Sequence, residues 1–437
     1  MGFVYGLAVV LVIFEGIVIQ CESAPKQEND KPLFPPKVME MIVGFTDLKT
    51  ILTAVGNKIV PPNDNVMRRI LQENVIFIMP DDNRTICEMY HHGESFIRIG
   101  GSNNGLLSFF DKFGDLVKKI EIALNNNDGP RMEITQNFIK KYAKNLEDLR
   151  IVFVDDEEFW NGILDEKIKS FSQNLESFKL NGVIADGDCL ANVKGLKELM
   201  LKTYSIKEDK FEDIFQNNKD MTKISLLMPE NAKTMHSIAE HLTKLETLTV
   251  EFPGESFLLR ANNGTVHELL SVTHFHISFD KLSEEFRIGN LSFNMPHLKK
   301  LTLYGDQADH RIINFIKRFK ELEILELFAK RDYDVAKCIE KLKHIKEFTT
   351  SFVEHDIDSP KRIFNNFDKN SKLQTLKFKY FRESLYRKYE KEMEKINIHL
   401  ENSKKPTWTL SRGEQIETGE KCLMFERQPC TCESCKK

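Results

Sequence analysis

Apolar residues recur along the chain in a six-residue pattern, apolar-x-x-apolar-x-apolar, which appears eleven times between Val117 and Phe378. Successive copies begin 21 to 29 residues apart. In each copy the last two apolar residues alternate with polar ones, as Leu248 and Val250 do around Thr249. Such alternation predicts a short strand with one buried face. The copies begin at Val117, Leu146, Leu175, Leu196, Met221, Leu245, Val272, Leu298, Leu322, Ile345 and Leu373.

Between the copies, the spacing of apolar residues changes to that of a helix, as in Val335, Cys338, Ile339 and Leu342. The sequence therefore predicts an alternation of strands and helices. A strand–turn–helix unit of about 25 residues cannot bury its own apolar face, so the units are expected to stack on one another. The alternative is a single α/β domain whose leucines fall in this order by coincidence, and eleven ordered copies favour the repeat.

The pattern resembles the leucine-rich repeat, whose copies are about 20–29 residues long. This resemblance implies an α/β fold, a leucine-rich-repeat solenoid of horseshoe form with a parallel concave sheet and convex helices. The Asn or Cys that usually follows the pattern by three residues is present only as Asn125, so the repeats are degenerate. Their loose consensus, over Leu106–Ile151 above all, is similar to that of insect F-box/leucine-rich-repeat proteins.

The segment Leu33–Val55 resembles a degenerate F-box. Lys37 stands where F-boxes usually have Glu, the link between Val43 and Asp47 is short, and the end of the second helix is reduced. The resemblance implies binding to a Skp-type adaptor of a cullin-type ubiquitin ligase. The alternative, which we favour, is a helical cap on the first repeat, because terminal repeats must cover an apolar face. The residues that match the F-box in type and order are Pro36, Val38, Met39, Ile42, Val43, Asp47 and Leu48.

The first residues indicate secretion. Phe3–Phe14 is an apolar run too short to cross a bilayer, which takes about 20 residues, and small residues follow it around Cys21–Ser23. We predict a signal peptide at 1–23, an F-box-like helical N-terminal region at 24–100, a solenoid of about eleven repeats at 101–381, and a C-terminal cap with a Cys-rich tail at 382–437. The mature chain is expected to be extracellular and not membrane-bound.

Glycosylation sequons begin at Asn83, Asn263 and Asn290, and they agree with a secretory route. The formal net charge of −4 gives no general attraction for nucleic acid, so no nucleic-acid partner is predicted.

Cysteines crowd the end of the chain, at Cys422, Cys430, Cys432 and Cys435. Disulfides are the favoured interpretation, because a secreted chain passes through an oxidising compartment. An exposed tail and a zinc site held by four thiolates are the alternatives.

No phosphate-binding glycine loop, metalloprotease motif or nucleophile elbow occurs, so the sequence predicts neither an enzyme nor a cofactor. The pair His274 and His276 points away from the core, because Phe275 and Ile277 occupy the buried register. The pair could bind a metal or respond to pH, and the alternative is two polar residues on an exposed strand face.

The concave face is the predicted site of function, because its residues are not needed for packing between repeats. An aromatic centre with a charged rim is typical of protein-binding hot spots, although such aromatic residues can also pack against their neighbours. We therefore predict a secreted protein-binding module, and the resemblance to insect F-box/leucine-rich-repeat proteins implies a venom or salivary component that acts on a host protein. A ubiquitin-ligase substrate receptor is the alternative. The predicted partner-binding residues are His274, His276, Lys300, Tyr304, Ile324, Glu326 and Phe328.

Overall fold

The structure is a computed structural model that describes residues 71, 75–81, 84–91, 94–98, 110–111, 114–124, 137–138, 141, 145–153, 174–181, 188–202, 206–227, 232–252, 266–279, 293–305, 310–329, 341–351, 372–380, 390–391, 394, 408–415 and 420–427. The chain divides into two compact units, Met1–Phe138 and Ile139–Lys437, which are described separately.

The first unit contains a four-stranded sheet in the order β4, β1, β2, β3. Its strands are β1 (Val75–Asp81), β2 (Arg84–His91), β3 (Glu94–Arg98) and β4 (Lys119–Leu124). Strands β1, β2 and β3 form antiparallel hairpins, whereas β4 runs parallel to β1. A short 3-10 helix, Gly114–Leu116, precedes β4, which carries the first copy of the repeat pattern.

The strands β1 to β3 correct the expectation of a helical region throughout 24–100. Strand β1 reads VIFIMPD, and its β-branched and aromatic residues favour an extended chain over a helix. The F-box-like segment Leu33–Val55 and the signal peptide lie outside the described residues, so the cap and adaptor interpretations remain predictions.

The second unit is built on ten consecutive parallel strands that pair in the order of the sequence, apart from two short strands described below. Each of the ten contains the end of one copy of the repeat pattern, so the prediction of a leucine-rich-repeat architecture with a parallel sheet is confirmed. The strands are β5 (Asp148–Phe153), β6 (Ser177–Asn181), β7 (Glu198–Lys202), β8 (Lys223–Leu227), β9 (Thr247–Phe252), β11 (His274–Phe279), β13 (Lys300–Gly305), β14 (Ile324–Ala329), β15 (Glu347–Ser351) and β16 (Thr375–Tyr380).

The apolar positions of the pattern form continuous rows across this sheet. Leu248, Phe275, Leu301 and Leu325 are aligned on neighbouring strands, and each is at most 2% exposed. The residue that begins each of the eleven copies is equally buried. The predicted interior positions Leu248, Leu301 and Leu325 are thus confirmed, and one face of the sheet is a continuous apolar core.

Within the described residues, four helices and two short strands lie between the main strands. The helices are α1 (Asp188–Ala191), α2 (Glu208–Asn217), α3 (Ala232–His241) and α4 (His310–Ile316). Helix α2 buries Phe211, Ile214 and Phe215 on one side, as its helical period predicts. Two later repeats carry short parallel strands, β10 (His267–Glu268) and β12 (Phe293–Asn294).

Backbone hydrogen bonds hold neighbouring repeats in a fixed register. At the start of each main strand from β6 to β16, two successive N–H groups donate to one carbonyl of the preceding repeat, as Thr273 and His274 do to Glu246. Buried Asn218, at the end of α2, adds a side-chain link. Its Oδ1 accepts from the Leu196 N–H at 2.8 Å, and its Nδ2 donates to the Val193 carbonyl at 2.8 Å.

An antiparallel hairpin ends the sheet of the second unit. Strand β17 (Trp408–Gln415) pairs with β18 (Glu420–Arg427), and β18 pairs antiparallel with β16. The pattern at Thr407–Leu410 predicts this strand, which begins at Trp408. Cys422 lies on β18 opposite Lys379, whereas Cys430, Cys432 and Cys435 are outside the described residues. The disulfide interpretation therefore remains a prediction.

Candidate functional site

The second unit has a polar sheet face opposite its apolar core, formed by the residues that alternate with buried ones on strands β6 to β16. We call it the open face. On β9, Thr247, Thr249 and Glu251 belong to it, and each is half-buried. Parallel pairing aligns them in rows with residues of later strands, so that Thr249 is followed by His276, Thr302 and Glu326. The rows bring side chains from many repeats onto one surface.

Three rings form a stack across the open face. The His276 and Tyr304 ring centroids are 5.3 Å apart, and those of Tyr304 and Phe328 are 4.3 Å apart, with interplanar angles of 29° and 19°. Lys379 extends the stack, because its Nζ lies 5.7 Å from the Phe328 ring centroid. The stack forms because the residues occupy neighbouring strands in nearly the same row.

Two ion pairs flank the ring stack. Lys300 Nζ lies 2.9 Å from Glu326 Oε1, and Thr302 Oγ1 donates to Glu326 Oε2 at 3.1 Å. Lys202 Nζ lies 2.9 Å from Glu251 Oε1, although these two residues are 49 positions apart in the sequence. A partly buried ion pair with an additional hydrogen bond holds its side chains in more defined positions than a fully exposed ion pair does.

The ring of His276 interacts electrostatically with the charged groups of both ion pairs. Burial is the main cause that lowers its pKa, and it outweighs the carboxylates of Glu251 and Glu326, which raise it. Lys202 and Lys300 lower the pKa further. The ring is therefore neutral near pH 7, which suits stacking on Tyr304. His274, in contrast, is exposed, and its Nδ1 lies 2.9 Å from Thr273 Oγ1.

The pKa of Glu326 lies below its ordinary value of 4.5. Burial acts to raise it, but the hydrogen bond and charge of Lys300, the Thr302 hydroxyl and the charge of Lys379 together outweigh burial. A carboxyl group whose pKa is lower in the folded protein than in the unfolded chain stabilises the fold at any pH above the unfolded-state pKa. This contribution is lost as the pH falls through the lowered pKa of the folded state.

We accordingly expect Glu326→Gln to reduce the loss of stability on acidification. Urea unfolding from about pH 7 to about pH 3 should show a steeper fall for the natural protein than for the variant, with the difference arising below about pH 4.5. Glu212→Gln, on the exposed side of α2, is the control. Identical pH profiles for the natural protein and Glu326→Gln would contradict the role of this ion pair.

The structure brings together six of the seven predicted partner-binding residues, with exposed His274 at the edge of the group. One expectation is corrected. Phe328 is 4% exposed, because Tyr304 covers one side of its ring and Lys379 lies over the ring. Tyr304 and Ile324 remain half-buried on the open face. Asn83, Asn263 and Asn290 lie outside the described residues, so their glycosylation remains a prediction.

Sequence reasoning did not select Lys202, Glu251 or Lys379 as site residues. The strand period places all three on the open face, but it does not tell which side chains reach one another across several strands. Among the described residues there is no group of three or more metal-binding side chains, so the His274 and His276 pair has no third ligand there. None of the described helices is long and apolar enough to span a membrane.

Comparison with known proteins finds similarity to solved structures. No protein-family model matches the chain, and no curated protein matches it. The crystal structure of the leucine-rich repeat-containing protein LegL7 from Legionella pneumophila is similar over 61% of this chain and 94% of LegL7. The sequence identity is 16% and the TM-score is 0.35. The repeat architecture of this chain is established by its own strand register and buried rows.

Proposed function

We propose that this protein is a non-enzymatic binding module whose open face binds another protein. The observation that carries the proposal is the ring stack of His276, Tyr304 and Phe328 with the Lys300–Glu326 pair beside it. Aromatic anchors surrounded by polar groups are typical of the centre of a protein interface. The side chains of the stack also lie on a sheet of ten parallel strands, which gives a partner a pre-organised surface.

Pre-organisation supports a binding role for a physical reason. A side chain already held in one rotamer loses less conformational entropy when a partner covers it. Tyr304 is held by the two rings beside it, and Lys300 by its contact with Glu326. These residues can therefore be covered at a small entropic cost.

The proposal also concerns where the protein acts. The apolar run Phe3–Phe14 and the three sequons support secretion, and the resemblance to insect F-box/leucine-rich-repeat proteins supports action on a host protein as a venom or salivary component. The departures of Leu33–Val55 from the F-box pattern weigh against a ubiquitin-ligase receptor.

Secretion predicts both cleavage and glycosylation. In insect-cell expression, the mature N-terminus should lie near Ala24, and at least one of Asn83, Asn263 and Asn290 should carry glycan. Intact mass with and without a glycosidase measures both. A full-length, unmodified product retained in the cells would contradict this route.

Site-specific photo-cross-linking tests the binding proposal. A photoreactive amino acid at Tyr304 or Ile324 should cross-link to one defined protein in the fluid that the protein enters. The same amino acid at Gln216, on the exposed side of α2, is the control and should not capture that protein. Equal capture from both sides of the repeat would contradict a site on the open face.

A further inference from the structure

Several hydroxyl groups on the open face make no hydrogen bond within the protein. They belong to Ser225 on β8, Thr247 and Thr249 on β9, and Ser278 on β11, and all four residues are half-buried. Within the described part of the chain, none of these hydroxyls has a hydrogen-bond partner. Ser225 is aligned with Thr249, and Ser278 is aligned with Glu251 at the end of β9. We call these four residues the hydroxyl patch.

Other hydroxyls of the open face are paired, covered or isolated. Ser177 and Thr302 each donate to a glutamate of a neighbouring strand, at 3.4 Å and 3.1 Å. Thr349 is 4% exposed and is thus closed to a partner. Thr375 is half-buried and also has no hydrogen-bond partner among the described residues, but it is aligned with a glutamate on each side. The hydroxyl patch differs because its unpaired hydroxyls lie side by side on three adjacent strands.

The charged side chains beside the hydroxyl patch contact opposite charges. Lys223 Nζ lies 2.7 Å from Glu198 Oε1, and Lys202 Nζ lies 2.9 Å from Glu251 Oε1. Glu198 also contacts Lys179, at 3.3 Å, so one net positive charge remains on strands β6 to β8, at the margin of the patch. A charged group placed on the four hydroxyls would lose its water and would not meet a free opposite charge there.

A partner that covers the hydroxyl patch must supply hydrogen bonds. A hydroxyl can both donate and accept, and covering it without a hydrogen bond weakens binding. The neutral ring of His276, aligned with Thr249, adds one nitrogen that donates and one that accepts. Apolar side chains would leave these groups unsatisfied. Amide groups satisfy them, because an amide carries both donors and an acceptor and has no charge.

From this hydrogen-bond complementarity, we propose that the hydroxyl patch binds an uncharged segment of the partner protein that is rich in asparagine and glutamine. An extended segment along β9 fits, because alternate side chains of any extended chain repeat about every 6.6 Å, as Thr247 and Thr249 do on their strand. This inference rests on the proposed protein-binding function and specifies the chemistry of the partner.

Three fluorescein-labelled peptides test the preference for amides. In the first, glutamine alternates with serine, and the matched peptides have glutamate or methionine at every glutamine position. Glutamate keeps the shape and adds a charge, whereas methionine keeps the length and removes the amide. Fluorescence anisotropy with the full chain should show at least about tenfold tighter binding of the glutamine peptide than of either matched peptide. Its affinity should change by less than about twofold between low and high salt.

Variants assign the preference to the hydroxyl patch. Thr249→Val removes one hydroxyl and keeps the shape of the side chain, and it should weaken binding of the glutamine peptide at least about threefold. Thr249→Val with Ser225→Ala should remove most of the preference, and thermal unfolding should show that both variants remain folded. Thr375→Val is the matched control, because it removes an unpaired hydroxyl from the same face outside the patch. The control should bind as the natural protein does.

Four results would overturn this inference: equal or absent binding of the three peptides, tighter binding of the glutamate peptide, equal effects of Thr249→Val and Thr375→Val, or equally tight binding of maltohexaose. The second would indicate that the net positive charge of β6 to β8 dominates, and the last that the patch binds sugars. None of these results would decide the proposed function, which depends on cross-linking from Tyr304 and Ile324. Loss of that cross-linking would instead contradict both proposals.

Discussion

Leu301→Ala is expected to lower the free energy of unfolding by about 2–5 kcal/mol. Leu301 is fully buried in the central row of the core, between Phe275 and Leu325 on the neighbouring strands. Removing its side chain leaves a cavity bounded by two repeats, and repeats held in register by the backbone cannot close around it fully.

Thr249→Ala is the control for Leu301→Ala. Thr249 is half-buried on the open face of β9, so its replacement should change the free energy of unfolding by no more than about 0.5 kcal/mol. Urea unfolding measures both variants under the same conditions. Similar losses for Leu301→Ala and Thr249→Ala would show that the assigned register of the strands is wrong.

Asn218→Ala is expected to lower the free energy of unfolding by about 2–4 kcal/mol, because it removes three buried hydrogen bonds. The side chain accepts from the Leu196 N–H and donates to the carbonyls of Val193 and Ile214, each at 2.8 Å. With alanine at this position, the three backbone groups would stay buried without the hydrogen bond from the Asn218 side chain. Each buried group left without a hydrogen bond lowers the free energy of unfolding by about 1–3 kcal/mol unless the local structure adjusts.

The neighbouring residue provides a matched control. Asn217 Nδ2 also donates to a carbonyl of the preceding repeat, that of Ala191 at 2.7 Å, but this bond is exposed. Water can replace an exposed bond, so Asn217→Ala should cost less than about 1 kcal/mol. Equal costs for the two substitutions would contradict a special structural role for Asn218.

The repeat architecture was predictable from the sequence because its signal is periodic. Leu248 and Leu325 belong to copies of one pattern, and a period of two within a strand determines which residues face the core. The same reasoning correctly placed His274 and His276 on the opposite face. Patterns of this kind are local, and repetition makes each local inference support the next.

Other features depend on interactions that sequence spacing does not encode. The burial of Phe328 results from contacts with Tyr304 and Lys379, which lie on other strands. The sequence did not reveal the structural role of Asn218. In the usual leucine-rich repeat the structural Asn follows the six-residue pattern by three residues, whereas Asn218 precedes the copy that begins at Met221. The strands β1 to β3 were missed because the F-box resemblance favoured helices over their β-branched composition.

The central claim is that the open face is the binding surface. Its most direct test is to measure how tightly two variants bind the partner that cross-linking identifies. Ile324→Asp places a charge beside the Lys300–Glu326 pair, whereas Gln216→Asp makes a similar change on the exposed side of α2. Isothermal titration calorimetry should show at least about tenfold weaker binding for Ile324→Asp, which is about 1.4 kcal/mol, and unchanged binding for Gln216→Asp. Unchanged affinity of a correctly folded Ile324→Asp variant would contradict the claim.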